Sequence, residues 1–454
     1  MHGNPGVNAS SSATVKQCLD YTMFPWSIQS QLQPMLIAGG KGCMFWDADG
    51  NQYLDFSSQL ECLNAGHQHP KIVDAIVKQA RELCYISPVF ATSPKAELGR
   101  LLAEVTPGNL KRTFFTLGGS DANESAMKLA RWYTGRHKMI SCYRSYHGDS
   151  HGAASLTGES RRWSAEPAIP GVVHVPAPYC YRCDFGKQPD SCDLECAKFI
   201  AQAIEYEGPE HVAAVIVEGV MGSNGILMPE RNDYLPTLRR ICTEAGVLLI
   251  ADEVMSGFGR TGEWFAVNNW KVVPDIMTMA KGLTGAHTPL GAAIVSEPIG
   301  QFFEGLRLTA GFTYGGHPVG CAAGVAAIQV YREEHLVENA KALGQVLSAE
   351  LRRLKDKHPS VGNVRGIGLF QFIELVKNRE TKKPFGPYST RTAADQGLIM
   401  QMRPEFYKRG LHVMTHPLGL FVAPPLCVSR EELTRGLAII DEVIGLVTDR
   451  AYEG

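Results

Sequence analysis

Four short apolar runs, each stopped abruptly by a polar residue, constrain the fold of this chain more than any other feature. They are HVAAVIVEG (211–219), GVLLIADE (246–253), DIMTMAKG (275–282) and GAAIVSE (291–297). Their hydrophobicity is near-continuous rather than alternating, which marks strands covered on both faces, as in a mainly parallel sheet. A helical pattern, ERNDYLPTLRRICTEAG, precedes the 246 run. Strands alternating with helices predict an α/β sheet built by right-handed crossovers. From Cys321 onward the chain reads first as helix and then as shorter strand-like pieces such as GNVRGIGLFQFIEL, the pattern of a smaller α+β unit. Residues 41–56 alternate about an Asp-Gly turn and predict a hairpin. The expected division is an N-terminal segment with part of the small domain (1–75), a large α/β domain (76–325) and a C-terminal small domain (326–454).

Composition narrows the function classes. The 454 residues carry 44 Lys and Arg against 46 Asp and Glu, a net charge of −2. No basic excess is available to neutralise a phosphate backbone, so nucleic acid is not an expected partner. No apolar stretch approaches the roughly 18–20 residues that span a bilayer. Met1 to Thr14 is small and polar, without the apolar core of a secretory signal. It reads as a frayed end, and a cytoplasmic location is expected. Twelve cysteines are too sparse for a disulfide scaffold. Four cluster at Cys180, Cys183, Cys192 and Cys196. The C-x2-C half resembles a metal knuckle, but the C-x3-C half is irregular. A surface excursion with free thiols is the preferred reading, and no metal is expected.

Three elements carry chemistry. Asp252 closes the run VLLIA, so a carboxylate arrives at the carboxyl end of a buried strand, where α/β sheets place their ligand crevice. Glu218 ends AAVIV in the same way. Taken alone, both acids could be caps or structural ion-pair members. Lys281 follows DIMTMA and has small neighbours. Partial desolvation there favours the neutral amine that condenses with carbonyls, although many lysines merely snorkel. Third, RTFFTLGGSDANESAMKLARWYTG (112–135) breaks a strand at Gly118-Gly119-Ser120 and starts a helix, with Ser120 the expected N-cap. Glycines at a helix start let backbone amides approach a phosphate, and the missing GK[ST] excludes a nucleotide P-loop. Together the three ask for one ligand with a phosphate, an electrophilic carbonyl and a basic ring nitrogen. Pyridoxal 5′-phosphate meets all three demands. Tyr146, in SYHGD, supplies a ring to stack on it.

These segments resemble the class III (omega) aminotransferases of fold type I, nearest the members acting on taurine and other omega-amines. LLIADEVMSGFGRTG followed by DIMTMAKGLTGAHTPLGA is similar to the family's signature block. GGSDANESAMKLAR resembles its phosphate-binding helix start, YHG its ring-stacking motif and GFTYGGHPVGCA its dimer-crossing segment. The resemblance implies a mainly parallel sheet in a large domain, with a smaller α+β domain drawn from both chain ends. It implies Lys281 as the lysine linked to pyridoxal phosphate and Asp252 as the partner of its ring nitrogen. Val254 is expected on the ring face opposite Tyr146, with His147 and Glu218 nearby. Gly119 and Ser120 are expected at the phosphate, joined by Thr313 from the partner of a homodimer with shared active sites.

The implied reaction is ping-pong transfer of an amino group from an omega-amine (taurine-like, an omega-amino acid or a diamine) to pyruvate or 2-oxoglutarate. An aminomutase, epimerase, decarboxylase or phospho-lyase of the same family is the alternative, as is a non-catalytic dimeric scaffold. The joint presence of Lys281, Asp252 and Thr313 argues against a scaffold. This chain departs from the family in three places. Leu117-Gly118 opens the phosphate cup in place of Asn-Ser, Ser223 replaces an acid, and His416 stands where relatives carry an arginine before the APPL segment. Trp26, Leu60, Arg161, Arg162 and His416 are the candidate substrate contacts, with the two arginines a possible clamp for a carboxylate or sulfonate. Glu61 stands where an apolar residue is expected; in the pocket it favours a cationic amine over an anionic donor.

Overall fold

The computed structural model describes residues 9–387 and 397–454. Its centre is a seven-stranded sheet of β1 (Leu110–Thr116), β2 (Lys138–Cys142), β3 (Val172–Val175), β4 (Val212–Glu218), β5 (Leu248–Asp252), β6 (Ile276–Met279) and β7 (Gly291–Ser296). The spatial order is β1-β7-β6-β5-β4-β2-β3. Only β7 runs against its neighbours; every other pairing is parallel.

The continuous apolar runs have the expected cause. Every residue of β4, β6 and β7 is buried. Because side chains alternate along a strand, Val215, Val217, Leu249 and Ala251 enter one cluster with Ile200, Ile204, Leu235 and Leu238. Ala214, Ile216 and Ile250 enter the other, with Ala126, Met127, Leu129 and Ala130 of helix α1 (Gly119–Thr134). Each fully buried Val, Leu or Ile contributes about 1.5–3 kcal/mol, so neither face tolerates polar substitution.

The two chain ends meet. Met44–Asp47 and Gln52–Asp55 form the hairpin expected near residues 41–56. Leu411–His412 then adds to it in parallel, pairing with Leu54 and Asp55. Val361–Ile367, Phe370–Asn378, Thr415–His416 and Gly419–Val422 make a separate antiparallel sheet, joined at its side by Lys383–Pro384.

A buried ion cluster ties that sheet to the 179–182 loop. Glu374 is fully buried and accepts from Arg365 Nη1 at 2.6 Å, from Arg182 Nε at 2.8 Å and from the Tyr179 hydroxyl. Burial alone would raise the Glu374 carboxyl, but Arg365 and Arg182 outweigh it and hold it below the usual range. Glu374→Ala leaves two guanidinium groups without their acid and is expected to cost about 3–5 kcal/mol in urea unfolding at pH 7. Because the folded-state value is depressed, Glu374 stabilises above the unfolded carboxyl's pKa of about 4.3. The gap between wild type and variant should therefore close only as pH falls below about 4.

Two expectations need correction or restatement. Residues 9–14 are not a frayed end but part of an exposed helix, Ala9–Tyr21; residues 1–8 lie outside the described residues. The four clustered cysteines do not converge as ligands. Cys192 Sγ donates to the Glu195 carboxylate at 3.0 Å, and Cys180 Sγ accepts from the Glu230 amide at 3.4 Å. Among the described residues no group of three or more His, Cys, Asp or Glu could hold a metal ion. No helix in them is long and apolar enough to cross a membrane.

Candidate active site

The parallel strands deliver their carboxyl ends to one edge of the sheet, where a cleft of about 1970 Å³ opens. Glu218 and Asp252 end β4 and β5 and lie directly opposite each other in register. Lys281 follows β6, Tyr146 and His147 follow β2, and α1 starts three residues after β1. All of these line the cleft. The topology thus brings residues from five strand ends to one place, as open α/β sheets do.

Asp252 is 3% exposed and is held by three donors. Its Oδ2 accepts from Asn123 Nδ2 at 2.7 Å and from His147 Nδ1 at 2.7 Å, and its Oδ1 from the Val254 amide at 3.0 Å. A carboxylate only accepts, so His147 carries its proton on Nδ1. Asn123 is oriented in turn by the Thr278 hydroxyl at 2.7 Å and donates to His147 O at 2.7 Å. Oδ1 keeps a free lone pair, and among the described residues no lysine or arginine pairs with this buried carboxylate. A buried acid in that condition suits a cationic ring N–H. Sequence reasoning missed Asn123; its one signal was a polar residue one helical turn beyond Gly119 on the buried side of α1.

The phosphate cup is built differently from expectation. Ser120 is not the N-cap: α1 begins at Gly119, Gly118 is the cap, and no side chain caps the first turn. Ser120 Oγ instead accepts from the Asp149 amide at 3.0 Å, joining the helix start to the 146–149 loop. The first-turn amides are left without a side-chain acceptor, which is how a helix terminus receives an anion. Glycine is required around it for space. A Cβ on Gly119 would lie 2.7 Å from Val254 Cγ1, and one on Gly148, at φ 133°, would lie 2.3 Å from Ser120 Oγ.

Glu218 is a positioning group. It accepts from the Tyr146 amide at 3.0 Å and from the Gly222 amide at 2.8 Å, locking the loops after β2 and β4. Burial pushes its carboxyl up to about 7. Glu253, beside Asp252, faces away from the cleft and caps the 266–270 turn, accepting from Ala266 and Val267 amides at 2.9 Å each.

The candidate substrate residues divide. Trp26, Leu60, Arg161 and His416 line the cleft. Arg161 lies over the Tyr146 ring, 3.7 Å from its centroid, and pairs with Glu159. Burial, with Arg161 nearby, pushes His416 down to about 3, so its ring is neutral. Arg162 is the correction: it pairs with Glu166 at 3.4 Å, lies over the Tyr143 ring and does not line the cleft. Successive residues of a 3₁₀ turn diverge by about a third of a rotation, so adjacent arginines cannot both face one ligand. Thr313 is exposed and lies outside the cleft of its own chain, its carbonyl accepting from the Tyr85 hydroxyl at 3.1 Å. Arg403, which also lines the cleft, had no sequence signal.

A mainly parallel sheet, a lysine and an acid from neighbouring strand ends, and an uncapped helix start define an enzyme that uses a phosphorylated carbonyl cofactor. Residues 27–444 match the class III aminotransferase family, and the chain belongs to it. It is 33% identical over 441 residues to the putrescine–pyruvate aminotransferase of Pseudomonas aeruginosa, covering 94% of this chain and 93% of that protein. It is 36% identical over 440 residues to a leucine/methionine racemase of Thermococcus litoralis, covering 95% and 96%. Among solved structures it resembles the taurine:2-oxoglutarate aminotransferase of Bifidobacterium kashiwanohense, in complex with PLP and glutamate, with a TM-score of 0.93 and 37% identity over the whole of both chains. An (S)-enantioselective omega-transaminase from Thermomicrobium roseum gives a TM-score of 0.89 at 34% identity, covering 97% of this chain and 99% of that one. The protein is an aminotransferase, and its cofactor is pyridoxal phosphate.

Proposed function

We propose that this enzyme moves the amino group of an omega-amine to pyruvate or 2-oxoglutarate in two half-reactions, with Lys281 and Asp252 as its catalytic residues. The observation that carries the reading is the delivery of both groups from adjacent strands β6 and β5 to one cleft beside an uncapped helix start. Bound there, pyridoxal phosphate supplies a carbonyl carbon that holds nitrogen and a ring that takes up electrons when a neighbouring C–H bond breaks. The first-turn amides of Gly119 and Ser120 bind the phosphate. Asp252 keeps the ring nitrogen protonated, while Asn123 and His147 keep Asp252 in place. Tyr146 and Val254, which line the cleft, would hold the ring. Lys281 Nζ would hold the cofactor at its carbonyl carbon and, as a free amine, would move the proton from the donor carbon that bears nitrogen.

The donor class rests on relatives named for putrescine and for taurine. Arg161 is the carboxylate-binding candidate for the acceptor. Arg161→Ala should raise KM for the keto acid about tenfold or more, the loss of a charge-assisted bond, whereas Arg162→Ala, outside the cleft lining, should change it less than about twofold. Equal effects in steady-state kinetics would remove Arg161 from this role. The reading as a whole is tested by an amine panel against pyruvate and 2-oxoglutarate; an enzyme that transfers nitrogen from none of the amines would overturn it.

Homodimer formation fits the exposed apolar side chains of Tyr85, Val89, Phe90, Leu308 and Tyr314. The Tyr85 and Tyr314 rings touch at 5.7 Å, so the two segments form one patch around Thr313. In this reading Thr313 completes the phosphate site of the partner subunit, residues 1–75 and 326–454 make up the small domain around the large one (76–325), and the enzyme works in the cytoplasm, where its twelve free thiols persist.

A further inference from the structure

Glu61 is a carboxylate without a partner at the substrate end of the cleft. It lines the cleft, is 2% exposed, and its Oε1 is enclosed with no hydrogen-bond partner. A buried acid in that state is costly unless a cation meets it. The resident cations are engaged elsewhere. Arg260, fully buried, donates from both Nη groups to Pro424 O at 2.5 Å, Leu369 O at 3.2 Å, Asn64 Oδ1 at 2.9 Å and Ser58 Oγ at 3.1 Å, leaving only its Nε without a partner among the described residues. Arg161 is paired with Glu159. Lys281, whose charge also faces Glu61, is the residue assigned to the cofactor.

The backbone holds Glu61 there against its preference. Ser58, Gln59 and Glu61 all have left-handed φ, at 46°, 59° and 52°, a conformation side-chain-bearing residues keep only where the surroundings over-determine it. The surroundings do so. Asp55 Oδ1 accepts from the Ser57 and Gln59 amides at 3.1 and 3.2 Å, and Ser58 Oγ donates to Ala423 O at 2.7 Å. The segment is pinned on both sides, with residue 61 turned toward Lys281.

We infer that Glu61 is a specificity-determining residue that binds the distal ammonium of a diamine donor whose other amine is transferred. This rests on the reading of the site as an omega-amine aminotransferase. A distal carboxylate or sulfonate would instead meet a like charge in a poorly solvated pocket, so the same residue disfavours anionic donors. Burial pushes the Glu61 carboxyl up to about 7; Lys281, Arg260 and Arg161 lower it and Asp55 raises it. In the free enzyme the diamine site therefore forms as Glu61 ionises near neutral pH.

The test compares kcat/KM for 1,4-diaminobutane, butylamine and 4-aminobutanoate, with the same keto acid, in wild type and Glu61→Gln. The diamine-to-butylamine ratio should fall at least about tenfold in the variant, the value of one charge-assisted bond, and the 4-aminobutanoate-to-butylamine ratio should rise. In the wild-type holoenzyme the diamine-to-butylamine ratio should climb between about pH 6 and about pH 8 and then level off, which keeps the inference testable if the variant does not fold. An unchanged ratio in the variant, including an equal fall for all three amines, or a ratio flat with pH, overturns it. A wild type that converts none of the three amines overturns the underlying reading instead.

Discussion

Lys281→Ala will fold as the wild type does and transfer no measurable nitrogen. The loss expected is at least about 10⁴-fold in kcat, because in the proposed mechanism one side chain both anchors the cofactor and moves the proton, and proton transfer alone is worth about 10²–10⁴. The holoenzyme's visible absorption band should also disappear, since the lysine-linked cofactor produces it. Lys281 sits in a left-handed turn at φ 45° and is half-buried at the cleft wall. Shortening it therefore opens no core cavity, and the far-ultraviolet spectrum and thermal midpoint should hardly move. Activity partly restored by added small primary amines would assign the lost function to the amine itself. A variant that keeps both turnover and colour would remove Lys281 from the mechanism.

Asp252→Asn should be the second most damaging change, lowering kcat about 10²–10³-fold or more, the range for removing one preorganised electrostatic group from a water-poor site. The substitution keeps the shape and removes the charge. Its amide must also face two donors, Asn123 Nδ2 and His147 Nδ1, each 2.7 Å from the oxygen it replaces. Both lose their acceptor if the amide nitrogen turns toward them, and the Val254 amide loses its acceptor if it turns the other way, so a modest fall in thermal midpoint should accompany the kinetic loss. Single-turnover measurements of the donor half-reaction separate the two effects. A kcat within about threefold of wild type would mean that the acid does not tune the ring, since electrostatic groups at a reacting centre are worth far more than this.

Both residues were legible in the chain alone, for a definite reason. A strand buried on both faces tolerates only apolar side chains, so an acid or lysine at its end stands out, and Glu218, Asp252 and Lys281 were visible as interruptions. The glycine turn before α1 was visible for a related reason, since close packing against Val254 admits no Cβ at Gly119. Local signals failed where function depends on direction. Ser120 has the chemistry of an N-cap, but its hydroxyl oxygen accepts from the Asp149 amide instead. Arg161 and Arg162 are indistinguishable as letters, and only the 3₁₀ turn that carries them turns one to the cleft and the other toward Tyr143 and Glu166.

The order of buried strands, the polar residues that end them and the glycines at the helix start were thus set by neighbours a few residues away, where hydrophobic periodicity and backbone sterics act. Long-range packing decided the rest. Nothing local announces that Asn123 reaches a carboxylate 129 positions onward, or that Leu411 and His412 complete the hairpin begun at residue 44. The same holds for Glu61, set beside Lys281 by a strained segment pinned to both chain ends. Contacts of that kind exist only after distant segments have come together, because their partners are chosen by geometry and not by adjacency.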